Sequence, residues 1–306
     1  MRGLLRINSL KYLALVVTSV LILAGFMDYG FPKSQPIHSE VALPVLRVGA
    51  VPAESKEKTR DQFEKFMNYL GRKTGCIVEL YVADNYEGII DKMRQGDLDI
   101  AWFGPFSYVI AAETAGARAF AIDDNIKNGT VYHSVFITHS ESGIDSIEKI
   151  KGHTFAFVDQ ASTSGYLIPK SILQRHGIDP LRDFAKVEFA GSHDAAILAV
   201  KKRQIDAAAV SDAILASLSE KGIVGEKELQ MIGSSEAIPT STWAYRDGIA
   251  AELLAKIRQA FFSIAAEDRE ALGMYGNDLV KGFVPTDDKQ YDIIRNIAEN
   301  LGLGSN

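Results

Sequence analysis

The chain has 306 residues, of which 47% are hydrophobic and 24% are charged. This composition is typical of globular proteins and excludes disordered and collagen-like classes, and the length suffices for one large domain or two modest ones. Acidic residues outnumber basic ones, and the formal net charge of −6 argues against non-specific nucleic-acid binding. A small anion would have to be captured by local geometry, because the field of the whole protein opposes it.

The sequence contains no recognisable cofactor or metal motif. Cys76 is the single cysteine, so no intrachain disulfide can form, and a buried, unreactive side chain is the favoured interpretation. Cys-rich, HExxH, Walker and GxGxxG patterns are absent from the sequence. We therefore expect neither a metal nor an organic cofactor.

Residues 1–27 have the layout of an export signal, with three basic residues before an uncharged run over residues 12–27. The basic residues are Arg2, Arg6 and Lys11. Because the uncharged run is long and no cleavage site is evident at its end, an uncleaved membrane anchor is the alternative. Both interpretations place the body of the protein in the periplasm or at the outer face of the cytoplasmic membrane. Residues 28–44, with Gly30 and three prolines, are predicted to form a tether.

From residue 45 onward, strand-like and helix-like patterns alternate. Strands are predicted at 45–50, 77–83, 99–103, 131–138, 154–158, 186–190, 206–210 and 229–233. Helices are predicted at 58–74, 86–95, 106–115, 166–176, 193–203, 212–221, 249–266 and 289–301. This alternation predicts an α/β fold with largely parallel sheets.

A weak internal repeat indicates two lobes of similar build. The segments Tyr86–Asp99 and His193–Asp206 share a polar aromatic start, an apolar helical face and a basic end, at a constant offset of 107 residues. Tyr86 and His193 would then begin equivalent helices at the carboxyl edges of two sheets, where open α/β sheets bind ligands. A cleft between the lobes would let both residues face one ligand.

We expect lobe 1 to comprise residues 45–138 and 240–306, and lobe 2 to comprise residues 139–239. The chain would cross back to lobe 1 near Ile238–Tyr245. Two crossings make a hinge, and hinges of this kind close around small ligands.

The segment Asp159–Tyr166, which we call the hydroxyl turn, joins a predicted strand to a predicted helix. Its three consecutive hydroxyls, on Ser162, Thr163 and Ser164, would lie with free backbone N–H groups at the positive end of that helix. Such an arrangement can hold a small oxyanion, and an ordinary helix N-cap is the alternative. His193, at another helix start, could donate an N–H to the same anion or serve a structural role.

The sequence around these residues resembles a known family. The runs Phe155–Pro169, Gly191–Ala196 and Asp206–Asp212 are similar to the phosphate/phosphite/phosphonate substrate-binding proteins of ABC importers. The similarity extends over most of residues 45–270 and includes Tyr86, the Trp102–Pro105 strand end and the Tyr132–Ser134 strand. It implies a two-lobed periplasmic-binding-protein fold of type II, with the ligand cleft between the lobes.

The resemblance also implies roles for individual residues. Ser162, Thr163 and Ser164 would hold the oxygens of a phosphoryl or phosphonyl group, and Tyr86, Tyr132 and His193 would complete the site. Tyr132 is assigned by the resemblance alone. Independently of the resemblance, Trp102 and Phe103 lie at the carboxyl end of an apolar strand, so we expect them in the core first and in the cleft wall second.

The resemblance further implies that Asp212 could pair with the ammonium group of an aminoalkylphosphonate, and a cap of its own helix is the alternative. The crossing segment Pro239–Trp243 contains no second acid for such an ammonium. Phosphite, phosphate and a simple alkylphosphonate are therefore at least as well matched to the sequence.

The leading hypothesis is a monomeric, non-enzymatic receptor that closes on a phosphorus oxyanion and presents it to an ABC permease in the membrane. A membrane-anchored sensor of the same anion is an alternative. A hydrolase using Ser162 or Ser164 with His193 and Asp212 is a third hypothesis. It is less favoured because the sequence has no GxSxG elbow, and because clustered hydroxyls suit several hydrogen bonds better than one nucleophile.

Overall fold

The computed structural model describes residues 43–225, 227–272 and 280–304. The strands are β1 (Val45–Ala50), β2 (Ile77–Val82), β3 (Ile100–Phe103), β4 (Arg118–Asn125), β5 (Val131–Tyr132), β6 (Ser134–His139), β7 (Thr154–Phe157), β8 (Lys186–Phe189), β9 (Ala207–Ser211), β10 (Leu229–Ser234), β11 (Ile238–Pro239), β12 (Thr242–Tyr245) and β13 (Val280–Pro285). The helices are α1 (Lys56–Thr74), α2 (Tyr86–Arg94), α3 (Pro105–Ala115), α4 (Ile168–Arg175), α5 (Pro180–Asp183), α6 (His193–Lys201), α7 (Asp212–Glu220), α8 (Ala251–Glu267) and α9 (Asp292–Asn300).

Two sheets define two lobes, as the α/β prediction requires. The six-stranded sheet of lobe 1 has the order β13-β4-β12-β3-β1-β2, and the five-stranded sheet of lobe 2 has the order β10-β6-β9-β7-β8. The runs β2-β1-β3-β12 and β8-β7-β9-β6 follow the same plan, with two parallel pairings and then an antiparallel one. The two lobes therefore share a core topology, in line with the repeat seen in the sequence.

The sheets are mixed rather than mainly parallel, which corrects the expectation for strand direction. In lobe 1 the pairings of β12, β4 and β13 are antiparallel, and in lobe 2 those of β6 and β10 are antiparallel. Strand-helix-strand units give the strands that they connect a common direction, but another strand can be inserted between them. Here β12 lies between β3 and β4, β4 lies between β12 and β13, and β6 lies between β9 and β10. Each inserted strand runs antiparallel to its two neighbours.

The chain changes lobes twice. It leaves lobe 1 after β4 and joins lobe 2 at β6, and it returns between β10 and β12. At the crossing, β5 and β11 pair as a small antiparallel sheet. The lobe boundaries at residues 138/139 and 239/240 stay a prediction. Strand β6, which begins at Ser134, pairs with the lobe 2 strands β9 and β10.

Apolar packing stabilises each lobe and also joins them. One buried cluster lies within lobe 1, around Phe66, Trp243 and Phe261, and another lies within lobe 2, around Ile197 and Val210. A third cluster contains side chains from both lobes, including Phe103, Phe106, Phe136, Phe155 and Leu167. The lobes therefore meet over an apolar contact near the crossing strands.

Local signals set both ends of the first helix. Helix α1 begins after Ser55, whose hydroxyl accepts a hydrogen bond from the N–H of Lys58, and ends at Gly75 in the left-handed conformation (φ 72°).

Strand β4 was not predicted, because Arg118–Asn125 lacks a clear alternation of apolar and polar residues. The strand predicted over 131–138 is divided in two at His133.

The predicted export segment 1–27 and nearly all of the predicted tether lie outside the described residues. Within the part that the structure describes, no helix combines the length and the apolar character needed to cross a membrane.

Candidate functional site

A cavity of about 100 Å³ lies where strand ends and helix starts of both lobes meet. This volume suits a small ion rather than a drug-sized ligand, which needs about 300 Å³ or more. The lining includes Tyr86, Tyr132, Ser162, Thr163, Ser164 and His193. The structure thus brings six of the predicted site residues together around one space.

The hydroxyl turn contributes three of these residues. The Ser162 hydroxyl accepts a hydrogen bond of 3.1 Å from the N–H of Gly165 and so begins a single π-helical turn, Thr163–Leu167, that leads into α4. The Ser134 hydroxyl in turn donates to the carbonyl of Ser164 at 2.7 Å. The capping and anion-binding interpretations are therefore compatible, because Ser162 caps this turn and also lines the cavity.

Gly165 allows the turn to approach Val158, the residue that follows strand β7. A Cβ atom at this position would lie 2.4 Å from the Cβ atom of Val158 and 2.9 Å from the Ser162 hydroxyl oxygen. Real Cβ contacts are not this short, so no side chain fits. Glycine is required here by close packing, and it fixes the distance between the hydroxyls and the sheet.

The two phenols are neutral donors. Burial raises the pKa of Tyr132 to about 12, although the hydroxyls of Ser164 and Thr163 and the N–H of Ser164 form hydrogen bonds that act in the opposite direction. Burial also raises the pKa of Tyr86, and the Asp159 charge adds to this effect. Both side chains keep their O–H at neutral pH, so each can donate to an anion.

His193 is a neutral imidazole with one defined tautomer. Burial lowers its pKa to about 4, against an ordinary value of 6.5. Its Nδ1 accepts a hydrogen bond of 3.1 Å from the backbone N–H of Ser211. Because Nδ1 is the acceptor, the proton is on Nε2, and the imidazole offers one N–H donor.

Asp212 is the predicted residue that the structure places elsewhere. It begins α7, and its carboxylate accepts hydrogen bonds from the backbone N–H groups of Ala213 at 2.7 Å and His133 at 3.0 Å. Its second oxygen lies 3.1 Å from Nδ1 of His133. Asp212 lines a separate surface depression with His133 and Ser234, whereas its neighbours Ser211 and Ala213 line the cavity.

Several polar residues of the cavity were not predicted as ligand contacts. They are Glu54, Thr59, Gln62, Asp123, Asn125, Ser211 and Ser241. The repeat could have indicated the segment around Glu54. The same offset of 107 residues relates Ser55, the neighbour of Glu54, to Ser162. Asp123 had no such signal, because its strand was not predicted. Thr240 also lines the cavity, and it lies in the crossing segment singled out from the sequence.

Trp102 has both of the roles considered for it. Its ring packs edge-on against Phe63, with centroids 5.5 Å apart, and it also lines the cavity. Its indole N–H donates to the carboxylate of Asp123 at 3.1 Å. Phe103, the next residue, is completely buried in the core.

The donors that line the cavity are dipoles rather than full positive charges. Among the described residues that line it, none is lysine or arginine, and two, Glu54 and Asp123, are acids. Hydroxyls, phenols, a neutral imidazole and helix-start N–H groups are its donors. Such fixed neutral donors can hold an oxyanion in a site from which most water is excluded.

Comparison with known proteins identifies the family. The model of the family "ABC transporter, phosphonate, periplasmic substrate-binding protein" matches residues 48–291. The chain is 27% identical to the phosphate-import protein PhnD of Mycolicibacterium smegmatis, over 97% of this chain and 98% of that protein. It is 30% identical to the phosphonates-binding periplasmic protein of Escherichia coli, over 77% of this chain and 70% of that protein.

Solved structures agree with the fold. A binding-protein component of a Pseudomonas aeruginosa ABC phosphonate transporter superposes with a TM-score of 0.78 at 28% identity, covering 86% of this chain and 90% of that one. A Prochlorococcus marinus protein in complex with methylphosphonate also gives 0.78, at 24% identity, over 85% of this chain and 98% of that one. With the family model covering most of its length, the chain belongs to the periplasmic substrate-binding proteins of phosphonate ABC transporters.

Proposed function

We propose that this protein is a receptor that captures a phosphorus oxyanion in the cavity between its lobes and delivers it to an ABC permease. The observation that carries the proposal is the convergence of neutral donors from both lobes on one small cavity. The hydroxyl turn and His193 belong to lobe 2, whereas Tyr86 belongs to lobe 1. An anion that accepts hydrogen bonds from both sides stabilises the arrangement in which the lobes meet.

The proposed contacts follow from donor chemistry. Ser162, Thr163 and Ser164 offer hydroxyls, and Tyr86, Tyr132 and His193 each offer one neutral O–H or N–H. A phosphonate or phosphate group has three or four oxygens in tetrahedral array, and several donors arranged around it match that shape. The names of the relatives, which include phosphate import and phosphonate binding, support the same ligand class.

The geometry gives no support to the hydrolase hypothesis. In a Ser-His-Asp triad the acid accepts a hydrogen bond from one ring nitrogen of the histidine. Here Nδ1 of His193 accepts from Ser211 instead, and the carboxylate of Asp212 is bonded to His133 and Ala213. The three residues therefore do not form a relay.

We further propose that the protein is exported by residues 1–27 and acts as a monomer beside its permease. Removal of these residues should leave the protein inside the cell. Fractionation of cells that express the full-length and shortened chains tests this directly. Recovery of the shortened chain outside the cytoplasm would contradict the export role.

Calorimetric titration tests the ligand class. We expect one-to-one binding of at least one anion from a panel of phosphite, phosphate, methylphosphonate and 2-aminoethylphosphonate, and no comparable binding of sulfate. The panel includes an aminoalkyl ligand because Glu54 and Asp123 line the cavity. Absence of binding to all four phosphorus anions would overturn the proposal.

Paired variants test the donors. Tyr132→Phe and Ser164→Ala each remove one hydroxyl and should weaken binding of the preferred anion by about tenfold or more. Tyr81→Phe and Ser219→Ala remove the same groups from exposed positions and should bind as the wild type does. Equal affinities of the site variants and their controls would show that the cavity is not the binding site.

A further inference from the structure

The hydroxyl turn of lobe 2 reaches the amino ends of two lobe 1 helices. The Asp159 carboxylate accepts a hydrogen bond of 3.3 Å from the backbone N–H of Tyr86, the first residue of α2. The Thr163 hydroxyl oxygen accepts one of 2.8 Å from the backbone N–H of Phe106, in the first turn of α3. N–H groups of a first turn have no partner within their own helix, so both bonds supply from lobe 2 what the helices lack.

Helix α3 depends on this contact most clearly. Its N-cap residue is Gly104, which has no side chain to accept a hydrogen bond, and Pro105 has no N–H to offer. Phe106 therefore carries the first N–H of the helix, and both Phe106 and Thr163 are almost completely buried. A buried N–H without a partner is strongly unfavourable, and the Thr163 oxygen satisfies it.

Helix α2 has a cap of its own, and a carboxylate of lobe 2 also lies at its amino end. Asn85 caps it by accepting from the N–H of Gly88 at 2.9 Å. One Asp159 oxygen is held within lobe 2 by the N–H of Ala161 at 2.8 Å, and the other accepts from Tyr86. A carboxylate at a helix amino end is favourable because it meets the positive end of the helix dipole.

We propose that Asp159 and Thr163 are interlobe caps that favour the arrangement with the lobes in contact, and so slow the release of a bound ligand. When the lobes separate, both bonds are lost and the N–H groups return to water. Asp159 is therefore a positioning residue, because it acts through Tyr86 and does not line the cavity itself. This inference rests on the proposed function only where it concerns ligand release.

Small-angle X-ray scattering of the ligand-free protein tests the caps without any ligand. Asp159→Ala and Thr163→Val should increase the radius of gyration, because fewer molecules have their lobes in contact. Thr163→Ser keeps the hydroxyl and should resemble the wild type. Asp145→Ala, which removes an exposed carboxylate of lobe 2, is the matched control and should also resemble the wild type.

Ligand release is the second readout. With methylphosphonate or inorganic phosphate as the probe, Asp159→Ala should release the ligand about tenfold faster, because a hydrogen bond to a charged group is lost. The association rate should change much less. Asp159→Asn keeps the shape of the side chain and replaces Asp159→Ala if that variant does not fold.

The two arms separate the failure of this inference from the failure of the proposed function. Wild-type compactness together with wild-type release in the Asp159 variant would overturn the interlobe caps. A protein that binds neither probe but expands when Asp159 or Thr163 is changed would retain the caps and reject the proposed ligand class. Slower association without faster release would indicate that Asp159 only shapes its own turn, which also overturns the proposal.

Discussion

At the scale of the residue, burial keeps the donors of this cavity neutral, and His193 shows its consequence most clearly. Its pKa is lowered to about 4, whereas the unfolded chain titrates near 6.5. The imidazole is therefore uncharged at neutral pH, and its Nδ1 is committed to the N–H of Ser211. At neutral pH the Nε2 proton therefore remains available for donation.

The same shift makes stability depend on pH in a defined direction. Between pH 6.5 and 4 the unfolded chain binds a proton that folded His193 does not, so the free energy of unfolding falls as the pH drops through this range. In His193→Gln, the fall in the free energy of unfolding over this pH range should be smaller by up to about 3 kcal/mol. Urea unfolding of both proteins near pH 7 and pH 4.5 measures it, and carboxylate effects common to both cancel. An identical pH dependence in the two proteins would contradict the prediction.

At the scale of the element, the hydroxyl turn is both a cap and a contact surface. The sequence predicted a helix from residue 166, and the structure begins it with a π-helical turn at Thr163. The turn and its cap place Ser162, Thr163 and Ser164 in the lining of the cavity, and the Ser162 hydroxyl also accepts from the N–H of Gly165. Its geometry depends on the absence of a side chain at Gly165.

Gly165→Ala should therefore displace the turn. The added Cβ would overlap Val158, and a misfit of this kind in a packed interior costs about 1–3 kcal/mol. We expect a loss of stability in urea unfolding together with the loss of most anion affinity. Gly104→Ala is the control for stability, because its Cβ would meet its neighbours at ordinary distances of 3.6 Å or more. A cost for Gly165→Ala no larger than that of the control would show that the turn adapts easily.

At the scale of the whole molecule, binding is expected to be almost independent of ionic strength. The described lining of the cavity contains no lysine or arginine, and the chain carries a net charge of −6. Long-range attraction of an anion is therefore absent, and short hydrogen bonds in a closed cavity are poorly screened. Affinity for the preferred anion should change less than about threefold between about 50 mM and about 500 mM sodium chloride. A steep decline would instead indicate a basic site elsewhere.

An ion pair at the rim of the cleft joins the lobes. Nζ of Lys58 on α1 lies 3.0 Å from the carboxylate of Asp194 on α6. Burial acts to raise the pKa of Asp194, but hydrogen bonds from Ser192 and Lys58 outweigh it, so the pKa is lowered. Lys58→Met should speed ligand release about two- to fivefold, because Lys58 is partly exposed and such pairs are weak. Lys56→Met breaks a pair with Asp84 inside lobe 1 and should leave release unchanged. Equal release rates in the two variants would show that the rim pair does not hold the lobes together.

How much of this protein the sequence predicts depends on the range of the interactions involved. Periodicity and helix signals act over a few residues, so they located most strands and helices of the two lobes and the equivalent helix starts at Tyr86 and His193. The serines and threonine of the hydroxyl turn could be recognised for the same reason. Strand β4 lacked the alternation, and its cavity residue Asp123 was therefore not foreseen.

The sequence by itself determined the α/β lobes, their internal repeat and the cluster of hydroxyls at a helix start, because these depend on neighbours along the chain. Only the tertiary structure decided strand direction, the tautomer of His193, the turning of Asp212 toward His133 and the capping of lobe 1 helices by Asp159 and Thr163. Each of these depends on which distant group lies within about 3 Å, a distance that hydrogen bonds require and that no local pattern encodes.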